Sequence, residues 1–101
     1  EAARRQVEGG MLMMMGMALD EEFVVAEGVS RTEMLSKYKV PQMADTPELE
    51  VIFVDSHDPV GPFGAKGVGE MGLLPVLPAL ANAYFDATGK RVRKMPLHKN
   101  I

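Results

Sequence analysis

Glu48-Leu49-Glu50-Val51-Ile52-Phe53-Val54-Asp55 is the stretch on which the reading of this chain turns. Its centre is apolar on both alternating faces, the pattern of a strand buried inside a sheet, and Asp55, Pro59 and Gly61 mark where it must stop. Outward from it lie two helical patterns. On the N-terminal side, Val7, Met11, Met14, Met15, Ala18 and Leu19 recur at spacings of three and four and predict a helix over 7–19. On the C-terminal side, Leu73, Leu74, Leu77, Leu80, Ala81, Tyr84 and Phe85 predict a second, closed by Gly89 as a C-terminal cap. Pro75 and Pro78 require it to begin near Pro78 or to follow an irregular turn. The expected fold is α+β: two helices packed on a small sheet in which 49–54 is central.

The remaining segments fill in around that frame. Phe23 to Ala26 has the β-branched and aromatic content of a short strand ended by Gly28. Residues 29–47 read as a long connection with a helical turn near Leu35 to Tyr38, and Val92 to Leu97 as a short edge strand confined there by Pro96. Gly9, Gly10 and Gly16 each cost the first helix about 1 kcal/mol relative to alanine, so something is expected to approach its backbone closely. The methionines at 11, 13, 14, 15 and 17 read as adaptable core, with a soft binding surface as the other reading.

Composition bounds the rest. The 101 residues suit one small domain or a fragment of a larger one, and 47% apolar with 25% charged residues excludes a disordered acidic tail. Without cysteine the chain can hold no disulfide and ligate no iron–sulfur cluster, which fits a reducing cytoplasm. A net charge of -3 gives no reason to bind nucleic acid, although Lys90, Arg91, Arg93, Lys94 and Lys99 form a basic C-terminal strip, read as a solvated tail or a partner-docking surface. The longest apolar run, Met11 to Leu19, is about half of a membrane span. A start at Glu1 with no signal-like segment suggests a fragment or processed chain.

The chemistry concentrates in Gly64-Ala65-Lys66-Gly67-Val68-Gly69-Glu70. Glycines at 64, 67 and 69 free the backbone to offer several N–H groups to one oxygen-rich ligand while Lys66 adds charge, as in an anion cradle. The order fits neither a P-loop nor the dinucleotide fingerprint. The bland alternative is a flexible crossover with Glu70 placed favourably at a helix N-terminus.

Phe63 through Glu70, followed by Leu74-Pro75 and by Pro78-Ala79-Leu80-Ala81-Asn82-Ala83-Tyr84-Phe85-Asp86-Ala87-Thr88-Gly89, resembles the C-terminal molybdopterin-binding region of the xanthine dehydrogenase and aldehyde oxidoreductase family. Gln6-Val7-Glu8-Gly9 is similar to that family's Gln-x-Glu-Gly helix start, and Tyr38-Lys39-Val40-Pro41 to its Tyr-Lys-Ile-Pro. Where many members carry Gly-Glu-Pro, this chain has Gly69-Glu70-Met71. The resemblance implies that Glu70 is the catalytic carboxylate beside molybdenum, that Lys66, Gly67, Val68 and Gly69 line the pterin, and that Gln6 hydrogen-bonds to it. No residue here is implied as a metal ligand. The cofactor would be molybdopterin, the cytosine dinucleotide being one form of it, with iron–sulfur clusters and FAD on other domains or subunits. The implied activity is hydroxylation of a heterocycle or aldehyde with oxygen from water. The isolated chain is expected to be inactive, to need the remaining molybdopterin-binding segments as partners, and to self-associate through its uncovered apolar face. The competing reading is a non-catalytic assembly module that associates through the Met-rich helix or the basic strip, and a more distant one an unrelated α+β domain with a phosphate-binding loop.

Overall fold

A computed structural model describes residues 1–101. Helix α1 runs Ala2–Leu19, strands β1 Val25–Ala26 and β2 Val29–Ser30 form a hairpin, α2 is the single turn Leu35–Tyr38, and α3 runs Val76–Thr88. Short 3₁₀ turns stand at Met43–Asp45, Pro62–Gly64 and Leu97–Lys99. The α+β class is as expected from the sequence, and so are the helical turn at 35–38 and the close of α3 at Gly89, whose φ of 71° is the left-handed cap conformation. Pro75 caps α3 and Pro78 lies in its first turn, after a run of turns from Gly69 to Pro75. Proline is tolerated there because the first N–H groups of a helix have no partner in any case.

Two strands and one packing relation differ from expectation. Residues 49–54 are extended but belong to no sheet, and the backbone of residues 47–56 makes no hydrogen bond within the chain. The apolar faces of this stretch look outward: Val54 is 85% exposed and Ile52 74%. The two helices accordingly pack on each other and not on a sheet. The only ladder is the hairpin, Val25 opposite Ser30 and Ala26 opposite Val29, turned by Glu27 and Gly28 at positive φ. Two positive φ values in a two-residue loop give the twist that matches paired strands. Val92 to Leu97 forms no edge strand either. Instead Pro96 and Leu97 are buried against α1, and the end of the chain is tied down by charge. A carboxylate can only accept, so His98 Nδ1 donates to Asp20 Oδ1 at 2.6 Å, and Lys99 pairs with Glu22, holding the Glu22 carboxyl below its usual range. Arg91 lies 3.9 Å over the Phe85 ring and donates to Asn82. Part of the basic strip is therefore spent inside the chain.

Close approach explains two of the three helix glycines. A Cβ on Gly10 would stand 3.0 Å from Leu73 Cδ1, and one on Gly16 would stand 2.6 Å from Pro41 Cδ and collide with the Glu21 carboxylate. Gly9 faces open space. Of the methionines, Met11, Met14 and Met15 are half-buried while Met13 and Met17 are exposed, so the stripe is core on one side only.

Six of 101 residues are buried, a small core for a chain of this length. The accessible surface is 7874 Å², whereas a compact monomer of 11.0 kDa would expose about 5,600 Å². Its radius of gyration is 16.8 Å against about 13 Å for a globular chain of this length. Large exposed apolar side chains contribute to the excess, Ile52, Val54, Val60, Phe63 and Leu74 among them. No helix is long and apolar enough to cross a membrane.

The glycine contacts make a paired test. Gly16→Ala should destabilise the chain by about 1–3 kcal/mol by overpacking against Pro41. Gly9→Ala should stabilise it by about 0.5–1 kcal/mol, since the helix gains a better former at no steric cost. Urea titrations followed by far-UV circular dichroism compare the two; a Gly16→Ala chain as stable as its parent would mean that Pro41 does not sit on α1.

Candidate functional site

The loop between the extended stretch and α3 braces itself. Asp58 accepts from the Val60 backbone N–H at 2.9 Å in a turn of the Asx kind, while Gly64 N–H and Ala65 N–H donate to Gly61 and Pro62 carbonyls at 3.0 Å each. Gly61 admits no side chain, because a Cβ would overlap the Ala65 carbonyl. Phe63 adopts φ 53°, a left-handed conformation that costs a bulky residue about 1–3 kcal/mol, and displays its ring fully to solvent. Lys66 Nζ lies 3.3 Å from Asp58 Oδ2, so its charge is turned back onto its own loop. The Val60 amide first, and Lys66 second, hold the Asp58 carboxyl below the usual aspartate range.

Beyond Lys66 the backbone changes character. The N–H groups of residues 66–70 make no hydrogen bond within the chain, and a Cβ on Gly67 or Gly69 would meet nothing within 4 Å. Five consecutive free donors on an open ribbon suit an oxygen-rich anionic ligand. Gly69 takes φ 44°, and its carbonyl accepts from Gln6 Nε2 at 3.0 Å. Sixty-three residues apart in sequence, Gln6 and the 66–70 ribbon are therefore brought together by the fold. They are held there by close packing of α1 on the following turn: a Cβ on Gly72 would stand 3.0 Å from the Val7 carbonyl oxygen.

Glu70 is exposed, and its carboxylate makes no hydrogen bond or ion pair. It precedes α3 by a full run of turns, and the first turn of α3 holds no acidic residue. The helix-dipole explanation for Glu70 therefore loses its geometry, since that effect fades within one turn. Immediately after Glu70 the chain enters a groove of about 520 Å³, lined by Val7, Met11, Ile52, Phe53, Met71 and Val76 among others. The site as it stands is an edge, with free donors and a free carboxylate on one side and an apolar groove on the other.

The residue that sequence reasoning missed is Asp58, which braces the whole loop. Its signal was present in Asp58-Pro59-Val60-Gly61, since an Asp that accepts from the N–H two residues on is a common way to start a turn.

The molybdopterin cofactor-binding domain family matches residues 1–47. Over 100 residues, 96% of this chain, the sequence is 49% identical to the aldehyde oxidoreductase molybdenum-binding subunit PaoC of Escherichia coli K12. Over 97 residues, 94% of the chain, it is 42% identical to the xanthine dehydrogenase molybdenum-binding subunit of Escherichia coli O157:H7. The chain spans 14% and 13% of those two relatives.

Because Asp58 is depressed by partners that the unfolded chain lacks, its bracing is present above the ordinary aspartate value of about 3.9 and lost as pH falls through the lowered folded value. An NMR titration should show Asp58 titrating low. Lys66→Met should move it only part of the way back, the Val60 amide remaining; an unperturbed Asp58 would contradict the braced loop.

Proposed function

This chain belongs to the molybdopterin cofactor-binding family of aldehyde oxidoreductase and xanthine dehydrogenase molybdenum-binding subunits, and from that footing we propose that it forms one wall of the cofactor site and supplies the catalytic carboxylate. The observation that carries the reading is the Gln6 to Gly69 hydrogen bond, which sets an open ribbon of free N–H donors beside α1 with Glu70 at its end.

The residues present fit the group. Residues 66–70 offer amide donors to pterin or phosphate oxygens, with glycine at the two positions where the ribbon must stay bare. Lys66 stands at the start of that edge, and a swing of its Nζ from Asp58 to the cofactor would add positive charge there. When bound, the molybdenum cofactor supplies the two-electron acceptor. The net reaction replaces a substrate C–H by C–OH with oxygen from water, releasing two protons and two electrons. Glu70, at the end of the ribbon and with its carboxylate spent on no internal partner, would take one of those protons. Enclosure by the rest of the subunit would exclude water around it. The rest of the subunit would also cover the apolar groove and pair the free backbone of 47–56. Electrons would leave through iron–sulfur and flavin centres on other chains. The substrate would be a small heterocycle or aldehyde, and the protein would work in the cytoplasm.

In the full assembly, Glu70→Gln should lower turnover by about 10²- to 10⁴-fold while leaving molybdenum content nearly unchanged, because glutamine keeps the size but cannot accept the proton. Turnover per molybdenum near the parent value would remove Glu70 from the chemistry and favour the assembly-module reading.

A further inference from the structure

We propose that Gln6 is a positioning residue for Glu70, acting through the Gly69 carbonyl. Three observations lead there. First, a carbonyl oxygen can only accept, so the Gln6 side chain must turn its NH₂ to Gly69 and cannot be flipped without losing the 3.0 Å bond. Second, the Gly69–Glu70 peptide is one rigid plane, so holding its C=O toward α1 aims the Glu70 N–H the opposite way and fixes the plane from which the Glu70 Cα departs. Third, no other hydrogen bond ties that peptide to α1. Gly69 sits at φ 44° with open space where a side chain would be, so no side-chain packing of its own fixes it. The remaining hydrogen bonds of the turn, Met71 N–H to Val68 and Leu73 N–H to Glu70, close it on itself and do not reach α1. Among the hydrogen bonds of the chain, Gln6 to Gly69 is the single one linking α1 to residues 56–75.

A flexible ribbon carrying a general base needs such a tie, because a displacement of about 1 Å at a reacting group costs on the order of a hundredfold in rate. The proposal rests on the catalytic reading of Glu70 and goes beyond it in saying what aims that carboxylate. It also predicts which substitution repairs the site: a side chain of similar reach that still donates.

The test uses the full subunit in its complex and two variants of an exposed residue, Gln6→Met, which keeps length but removes the donor, and Gln6→Lys, which restores one. Amide hydrogen exchange of Met71 and Leu73 is measured on cofactor-free subunit. It should be about three- to tenfold faster in Gln6→Met and return toward the parent in Gln6→Lys. In loaded enzyme, kcat per molybdenum should fall about ten- to a hundredfold in Gln6→Met with KM within twofold of the parent, and Gln6→Lys should recover most of the loss. Unchanged exchange in Gln6→Met overturns the tie whatever the turnover does. Faster exchange with unchanged kcat per molybdenum overturns its role in aiming Glu70, and so does a loss confined to molybdenum content. The exchange arm needs neither cofactor nor a catalytic Glu70. Failure of the catalytic reading, shown by an active Glu70→Gln enzyme, therefore stays distinguishable from failure of the tie.

Discussion

Everything at the candidate site depends on how closely one turn of α1 approaches the turn that precedes α3. Gly10 lets Leu73 rest on the helix backbone, and Gly72 lets the other side come within 3.0 Å of the Val7 carbonyl, measured from where its Cβ would be. Packed interiors tolerate little extra volume, so a methyl group on either glycine would push the two segments apart. That separation would carry Gly69 beyond reach of Gln6 and release the ribbon that ends in Glu70. Gly10, which weakens α1 as a helix, thus strengthens the assembly as a site, as does Gly72 outside the helix. The cost of about 1 kcal/mol at Gly10 is offset by a contact no larger residue would allow.

The same structure is unfinished in a definite way. Ile52, Phe53 and Val54 are extended and exposed, both backbone edges of the stretch are unpaired, and a groove runs beside it to Met71. Backbone groups are nearly always satisfied in a folded protein, by water at a surface or by partners when covered. With apolar side chains on both faces of the stretch, coverage by further strands is the arrangement that satisfies hydrophobic burial and hydrogen bonding together. The free amides of 66–70 and the free Glu70 carboxylate are the polar counterpart on the adjoining edge. The chain spans 14% of the length of that aldehyde oxidoreductase relative.

How far the sequence foretold this depends on whether the deciding contact is local. The 3.6-residue stripe of α1, the proline-delayed start of α3 and its glycine cap are local, and each was legible. So was the need for close approach at Gly10 and Gly16, although not the identity of Leu73 and Pro41 as what approaches. The strand character of 49–54 was legible too, but a pattern that reports burial on both faces cannot say which segment pairs with it, and here no other strand of the chain does, leaving Leu49 and Val51 half-buried and Ile52 to Val54 exposed. Val92 to Leu97 misled for a different reason. Pro96 and Leu97 gain more by burying against α1, with His98 and Lys99 meeting Asp20 and Glu22, than an edge strand without a neighbour could offer. At the site, the glycine spacing of 64–70 gave the open ribbon, whereas the Asp58 brace that turns Lys66 inward needed the three-dimensional loop to be seen.

The central claim is that the ribbon 66–70 is the edge on which the cofactor rests. Amide hydrogen exchange of the full subunit, compared with and without its molybdenum cofactor, tests it most directly. The account predicts slowed exchange at residues 66–70 on loading, with Gly64 and Ala65, already bonded within their own loop, little changed. Equal exchange of 66–70 in the loaded and empty subunit would contradict it.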